Sequence, residues 1–428
     1  MAPRLLASGG QILASRVFQA GLNAVTGWMI ARTLGPGGQG HYSLIITSIM
    51  FFAALFNGGL GLSAVPILRQ GKASLNNIIK SQLLWAVLCG LFLSFLATMA
   101  WLFGVPDFVA SKIALDSSIS LLILAGILVL LFFDLLFYSM IAAGRVVVGP
   151  FANLLRASVH LVLLLTVSAG FTLQYALSAW TVAQTIAVLV LLVVAFKTSS
   201  AVSVPSQPLF VLAKKLFKSG WVGQLSTLAS MLHLRINLAL VAVFYSSVET
   251  GIYSIAVLAG EFLWLLSGSL QPVVAWSAAD STDQNRDQVT ARAVRIALSV
   301  TLVAALFLAL SARPLFAFIF NNAYDDSVVP LYYLLPGIVI FAAGAVLAGD
   351  FIGRGRPTWN TQASFFTLAV NLLVAVILVP KMGITGAAIA STIAYIMGSL
   401  FMMHRFSTVS QIPIVDLFKF TLADFQRK

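Results

Sequence analysis

Long apolar runs fill the chain from end to end, separated by short clusters of Gly, Pro and charge. Each run reaches the roughly 18 residues needed to cross a hydrocarbon core about 30 Å thick. The breaks predict twelve spans, near 8–31, 41–68, 78–103, 113–143, 151–169, 172–196, 219–245, 251–278, 289–310, 330–352, 360–380 and 383–404. The runs are continuously apolar, without the polar–apolar alternation of outer-membrane barrel strands. The expected fold class is an all-α polytopic membrane protein.

Composition sharpens this picture. Of 428 residues, 60% are hydrophobic and 9% charged, against about 25% charged in an ordinary soluble domain. The mean hydropathy is +0.99. The lone cysteine, Cys89, excludes an intramolecular disulfide, and no Cys/His cluster has metal-ligand spacing. The opening residues, Met1 to Gln11, lack a short apolar core with a small-residue cleavage site, so no signal peptide is expected. In a soluble protein a net charge of +12 would point to nucleic acid; here it points to basic cytoplasmic loops.

The basic residues set an orientation. With the N-terminus inside, eighteen Lys and Arg fall on inner segments and four on outer ones (Arg32, Lys112, Arg313 and Lys381), while Arg16, Arg156 and Arg235 lie within spans. Both termini are therefore expected in the cytoplasm. The expected organisation is a six-helix lobe over 1–196, a cytoplasmic linker over 197–218, a second six-helix lobe over 219–404 and an amphipathic interfacial tail over 405–428. In that tail Ile414, Leu417, Phe418, Leu422 and Phe425 share one helical face.

An internal repeat appears at an offset of 211 residues. Gly40–Ser43 falls on Gly251–Ser254, Gly144-Arg145 on Gly355-Arg356, and Ala176, Ala179, Thr181 and Ala183 on Ala387, Ala390, Thr392 and Ala394. A repeat of six spans enters the membrane twice from the same side. Its halves are then two parallel bundles related by a pseudo-two-fold axis along the membrane normal, with a midplane cleft suited to alternating access.

Ionisable residues inside spans are expensive and face protein or water. In the first span Arg16, Gln19, Asn23 and Thr26 share one face, which either lines a hydrated cavity or packs on another helix. The seventh span carries Ser226, Ser230, His233 and Asn237 on a polar stripe, with Arg235 pointing roughly 160° away from His233. Asp134 and Glu261 are intramembrane carboxylates that either couple transport to H+ or Na+ or pair with an intramembrane Arg. For Arg156, His160 and Asp350 packing or snorkelling is the expected role. The Gly-Pro signals at Gly35-Pro36, Gly149-Pro150 and Arg356-Pro357 lack the strand and Lys-Ser/Thr of a phosphate loop and read as turns.

The segment Ala31–Tyr42 (ARTLGPGGQGHY) resembles the first loop of bacterial polysaccharide flippases. These are the O-antigen and exopolysaccharide repeat-unit translocases of the multidrug/oligosaccharidyl-lipid/polysaccharide exporter superfamily. Glu249–Ser254 (ETGIYS), Gly353–Arg356 (GRGR) and Gly383–Ala390 (GITGAAIA) are similar to the same family. The resemblance implies two six-helix lobes in a V shape around a cationic central cavity. It also implies flipping of a polyprenyl-diphosphate-linked oligosaccharide across the bacterial cytoplasmic (inner) membrane, with the polysaccharide polymerase machinery as a partner and without enzymatic chemistry. Guanidinium groups suit a diphosphate because they stay charged and bind it bidentately. The substrate candidates are therefore Arg16, Arg235, His233, Gln19, Asn23, Asn237 and Arg32. The alternatives are a drug or metabolite antiporter of the same superfamily and a membrane glycan polymerase or ligase. The first span holds Arg16 where a cation exporter usually carries an acidic residue. The longest outer segment, near 311–329, has only Arg313, Asp325 and Asp326 as charges for an enzyme to use.

Overall fold

A computed structural model of the chain describes residues 2–103, 116–166, 170–198, 207–280, 283–320 and 322–419. Within these helices it leaves undescribed the side chains of 2–14, 16, 101, 265–266, 280 and 283–285. All regular structure among the described residues is helical. The α-helices are α1 (Ala2–Asn57), α2 (Leu60–Arg69), α3 (Leu75–Phe103), α4 (Ser117–Ala142), α5 (Val148–Leu165) and α6 (Leu173–Thr198). They continue as α7 (Leu209–Phe244), α8 (Ser247–Asp280), α9 (Asp283–Phe320), α10 (Val328–Gly353) and α11 (Thr358–Ser410). Ten helical stretches among the described residues are long and apolar enough to cross a membrane, with α1 and α2 forming one of them.

Two of the ten, Val17–Arg69 and Thr358–Ser410, are 53 residues long. An unbroken helix of that length would measure about 80 Å, far beyond one bilayer. Each contains a break. Gly35 sits at φ 64°, ψ 178° before Pro36, and Gly383 at φ 58°, ψ −136°. Only glycine adopts such angles without strain, and Pro36 further disfavours helix at the residue before it. The breaks fall where the sequence predicts the first and last outer turns.

The chain divides into two compact units, Met1–Leu228 and Ala229–Lys428. In the first, α4 is central, packing on α1, α2, α3 and α6. Its core joins Ile45 and Ile49 of α1, Leu60 of α2, Leu131 and Leu135 of α4 and Leu177 of α6. Leu212 and Leu216 of α7 belong to the same core. In the second unit α10 is central, packing on α8, α9 and α11 around Val294, Leu298, Val346, Leu347 and Phe406. The two central helices are 26 residues each and begin 211 residues apart, at Ser117 and Val328.

Two segments differ from the sequence expectation. Residues 209–218, predicted as linker, are the first turns of α7, and the units divide inside that helix rather than at 219. Pro208 immediately precedes the helix, and Leu212 and Leu216 hold it against the first unit. In the tail, residues 414–418 form a short 3₁₀ segment whose Leu417 is fully buried in the second unit's core. That residue therefore packs on protein, not on a bilayer surface. Leu422 and Phe425 lie outside the described residues.

Candidate functional site

The predicted cationic residues occupy different environments. Arg235, about three-quarters of the way along α7, meets Glu261 of α8 through two prongs. Nη1 stands 2.9 Å from Oε1, and Nη2 donates to Oε2 at 3.2 Å. The pair is only partly covered, the Arg235 side chain being 32% exposed and that of Glu261 21%. The sequence offered pairing and ion coupling as alternatives for Glu261, and here the carboxylate is bonded to an arginine.

His233 points elsewhere, as its angular separation from Arg235 requires. It is buried, with Nδ1 3.1 Å from the Ala229 carbonyl oxygen, four residues back. It lines a cavity of about 430 Å³ inside the second unit, bounded by α7, α8, α10 and both arms of α11. One wall is aromatic. Trp264 and Phe341 stand with ring centroids 5.2 Å apart, Phe341 and Tyr395 5.2 Å, and Trp264 and Tyr395 5.9 Å.

Asn237, one turn along α7, is bound into the helix packing. Its Nδ2 lies within bonding distance of Asn371 Oδ1 (2.9 Å), the Ala387 carbonyl (3.1 Å) and Ser391 Oγ (2.6 Å). Asn371 donates in turn to the His233 carbonyl at 2.7 Å. Ser391 also meets the Tyr253 hydroxyl at 3.2 Å. This polar knot ties α7, α8 and both arms of α11 together, since a buried amide is costly unless bonded.

In the first unit Gln19 is half-buried, Asn23 is exposed and Thr26 is buried. Arg32 is exposed and lies over the Trp28 ring, 5.6 Å from its centroid. Arg16 sits on α1, and its side chain lies outside the described residues. Asp134 of α4 lies in the field of Arg156 of α5. Arg156 donates to Gln184 Oε1 at 3.1 Å and stacks 4.7 Å above Phe133, so its role is packing, as expected. Asp350 is fully buried, accepting from Thr290 at 2.8 Å and from Arg354, which also binds Asp287. Sequence reasoning missed Asn371, Ser391, Trp264, Phe341 and Tyr395. Lone polar or aromatic residues within apolar spans carry no periodic signal.

Among the described residues no cluster of His, Cys, Asp and Glu could hold a metal ion. The structure thus offers an intramembrane guanidinium–carboxylate pair and a separate, uncharged aromatic cavity.

The chain matches no protein-family model. It is 19% identical over 210 residues to the "Probable low-salt glycan biosynthesis flippase Agl15" of Haloferax volcanii, covering 48% of this chain and 44% of that relative. The chain thus spans less than half the length of the curated relative it matches. Among solved structures it is similar to "Lipid II flippase MurJ, inward closed conformation", at TM-score 0.70 and 14% identity over 97% of this chain and 90% of the other. It is also similar to an inward-facing multidrug resistance MATE family transporter of the MOP superfamily, at TM-score 0.67 and 18% identity over 92% and 96% of the two chains. An outward-facing conformation of such a transporter gives TM-score 0.66 and 17% identity over 95% and 97%. The chain shares its fold with these exporters.

Proposed function

We propose that this chain is a multi-pass transporter that flips a polyprenyl-diphosphate-linked oligosaccharide from the cytoplasmic to the outer leaflet of a bacterial cytoplasmic membrane by alternating access. The observation that carries the reading is Arg235, a guanidinium within the last third of an apolar helix that stays one-third open although Glu261 holds it. A diphosphate passing through low dielectric needs such a group. Arg presents five donors, so phosphate oxygens can be bound beside the carboxylate. The shared fold and the glycan flippase relative support the transport class.

The architecture is twelve spans in two six-helix lobes related by a pseudo-two-fold axis, with both termini cytoplasmic. The breaks at Gly35 and Gly383 support that count, because each divides a helix too long for one crossing. Their equivalents at the 211-residue offset fall in the gaps between α7 and α8 and between α5 and α6. The expected partner is the polymerase that consumes the flipped unit. The two-pronged pairing of Glu261 with Arg235 supports an ion-pair role for that carboxylate over coupling to H+ or Na+.

The test is glycan flipping per unit of membrane-inserted protein in Arg16 and Arg235 variants. Arg→Ala at either should abolish flipping, and Arg→Lys should restore only part of it, since an ammonium keeps the charge but loses the fork. Normal specific activity in both alanine variants would remove these arginines from the substrate path.

A further inference from the structure

The cavity inside the second unit is lined by neither Arg235 nor Glu261. It measures about 430 Å³, within the roughly 300–1,000 Å³ of small-molecule sites and far above the about 30 Å³ share of one water. Small residues keep it open. Gly268 of α8 lines it, and a Cβ added there meets nothing within 4 Å. Gly344, Ala345 and Ala348 of α10 line it as well.

Four lining residues carry buried polar atoms without a hydrogen-bond partner. These are His233 Nε2, Trp264 Nε1, Asn360 Oδ1 and Ser399 Oγ. Such atoms are costly inside a helical bundle unless something satisfies them. Their chemistry selects the occupant. Trp264 Nε1 can only donate and Asn360 Oδ1 can only accept, while a hydroxyl does either. His233 Nδ1 faces the Ala229 carbonyl, which makes it the donor and leaves Nε2 to accept. A cation has nothing to offer the Trp264 N–H, and no carboxylate lines the space. An anion would find no Arg or Lys there. The lining matches a neutral molecule that bears several hydroxyls and has an apolar C–H face for the Trp264, Phe341 and Tyr395 rings.

The first half of the chain supplies an internal comparison. At positions 211 residues before His233, Trp264, Phe341 and Tyr395 it holds Leu22, Ala53, Leu130 and Gln184. At these positions the aromatic wall belongs to the second half alone.

We propose that this cavity is a subsite for one neutral sugar ring, stacked on the Trp264–Phe341–Tyr395 wall and bonded by His233, Trp264, Asn360 and Ser399. The proposal rests on the flippase reading for the source of the sugar, a residue of the transported oligosaccharide. Its chemistry does not depend on transport. Lipid glycerol shares the neutral hydroxyl chemistry without the ring.

The test uses the full chain in nanodiscs and measures saturable binding of tritiated methyl glucoside, galactoside, mannoside and N-acetylglucosaminide, with glycerol and methyl glucuronide as competitors. At least one neutral glycoside should bind saturably and resist both competitors. Gly268→Leu, which fills the space, should abolish binding, and Trp264→Phe, which keeps a ring but loses the donor, should weaken it by at least about fivefold. Gly223→Ala, in the first unit and away from the cavity, should leave binding unchanged. Absence of saturable binding by every glycoside would overturn the proposal, as would binding that survives both Gly268→Leu and Trp264→Phe, or displacement by glycerol as effective as by sugar. Glycoside binding without flipping of lipid-linked glycan would refute the flippase reading and leave the subsite standing. Flipping that persists where no glycoside binds would do the reverse.

Discussion

Arg235 and Glu261 lie 26 residues apart in sequence and meet through two prongs at 2.9 and 3.2 Å, joining α7 to α8 inside the second unit. Removing one member leaves the other charge in low dielectric with no partner, which is worse than never having had the pair. A double-mutant cycle of Arg235→Ala and Glu261→Gln should therefore be strongly non-additive. The expected coupling is about 1–2 kcal/mol, below that of a fully buried pair because both side chains keep some exposure. Thermal unfolding of the four proteins in one detergent checks this. Additive losses would mean that the two residues act independently.

A second prediction concerns the first unit, where the α1–α2 junction passes α7 backbone to backbone. Gly59, at φ 81°, stands against Gly220, and a Cβ built on either residue runs into the backbone of the other. Backbone cannot swing aside as a side-chain tip can. Gly220→Ala should destabilise the protein by about 1–3 kcal/mol. Gly223→Ala, one turn on, meets only the Leu62 side chain at 3.4 Å and should be near neutral. Melting temperatures of the two variants give the comparison.

Asp116 caps α4, accepting from the Ile119 amide at 2.7 Å and the Ser118 hydroxyl at 2.8 Å. Those two hydrogen bonds, the backbone one foremost, hold its carboxyl below the ordinary 3.8. A carboxylate depressed in the folded state stabilises it fully above the unfolded value and loses that contribution as pH falls through the folded one. The start of α4 should hence fray only below about pH 4. Hydrogen exchange of the Ile119 and Ser120 amides should accelerate there relative to mid-helix amides. In Asp116→Ala the same amides should exchange fast at every pH.

Much of the fold was legible in the sequence because apolar length and punctuation are local signals. Gly35-Pro36 marked a turn in the sequence and Gly383 opened the predicted twelfth span, and both prove to be breaks in otherwise continuous helices. The start of α7 was hidden because Lys214, Lys215 and Lys218 sit among apolar residues and suggested a loop, whereas Leu212 and Leu216 bury a helical face. The partnership of Arg235 with Glu261 was stated only as one option, since no spacing rule joins side chains on different helices. Asn371 and Ser391 went unseen for a related reason. A single polar residue in an apolar helix looks incidental until a neighbour such as Asn237 is found bonding to it.

Orientation is testable without the substrate. Single cysteines placed in 207–218 and at either terminus, in a Cys89→Ser background, should resist impermeant labelling in intact cells. Cysteines at Gly37 or Asp326 should label readily. External labelling near Lys214 would reverse the orientation drawn from the basic residues.

Passage of a lipid-linked glycan, carried by its diphosphate, is the proposed function. Its most direct measurement is transfer between leaflets of reconstituted liposomes. A polyprenyl-diphosphate-linked oligosaccharide and a lipophilic cationic drug are offered to the same preparation, and Arg235→Ala is run alongside. If the proposed function holds, the glycan lipid moves, the drug does not, and the variant moves neither. Drug transport without glycan transfer, or glycan transfer undiminished in Arg235→Ala, would contradict it.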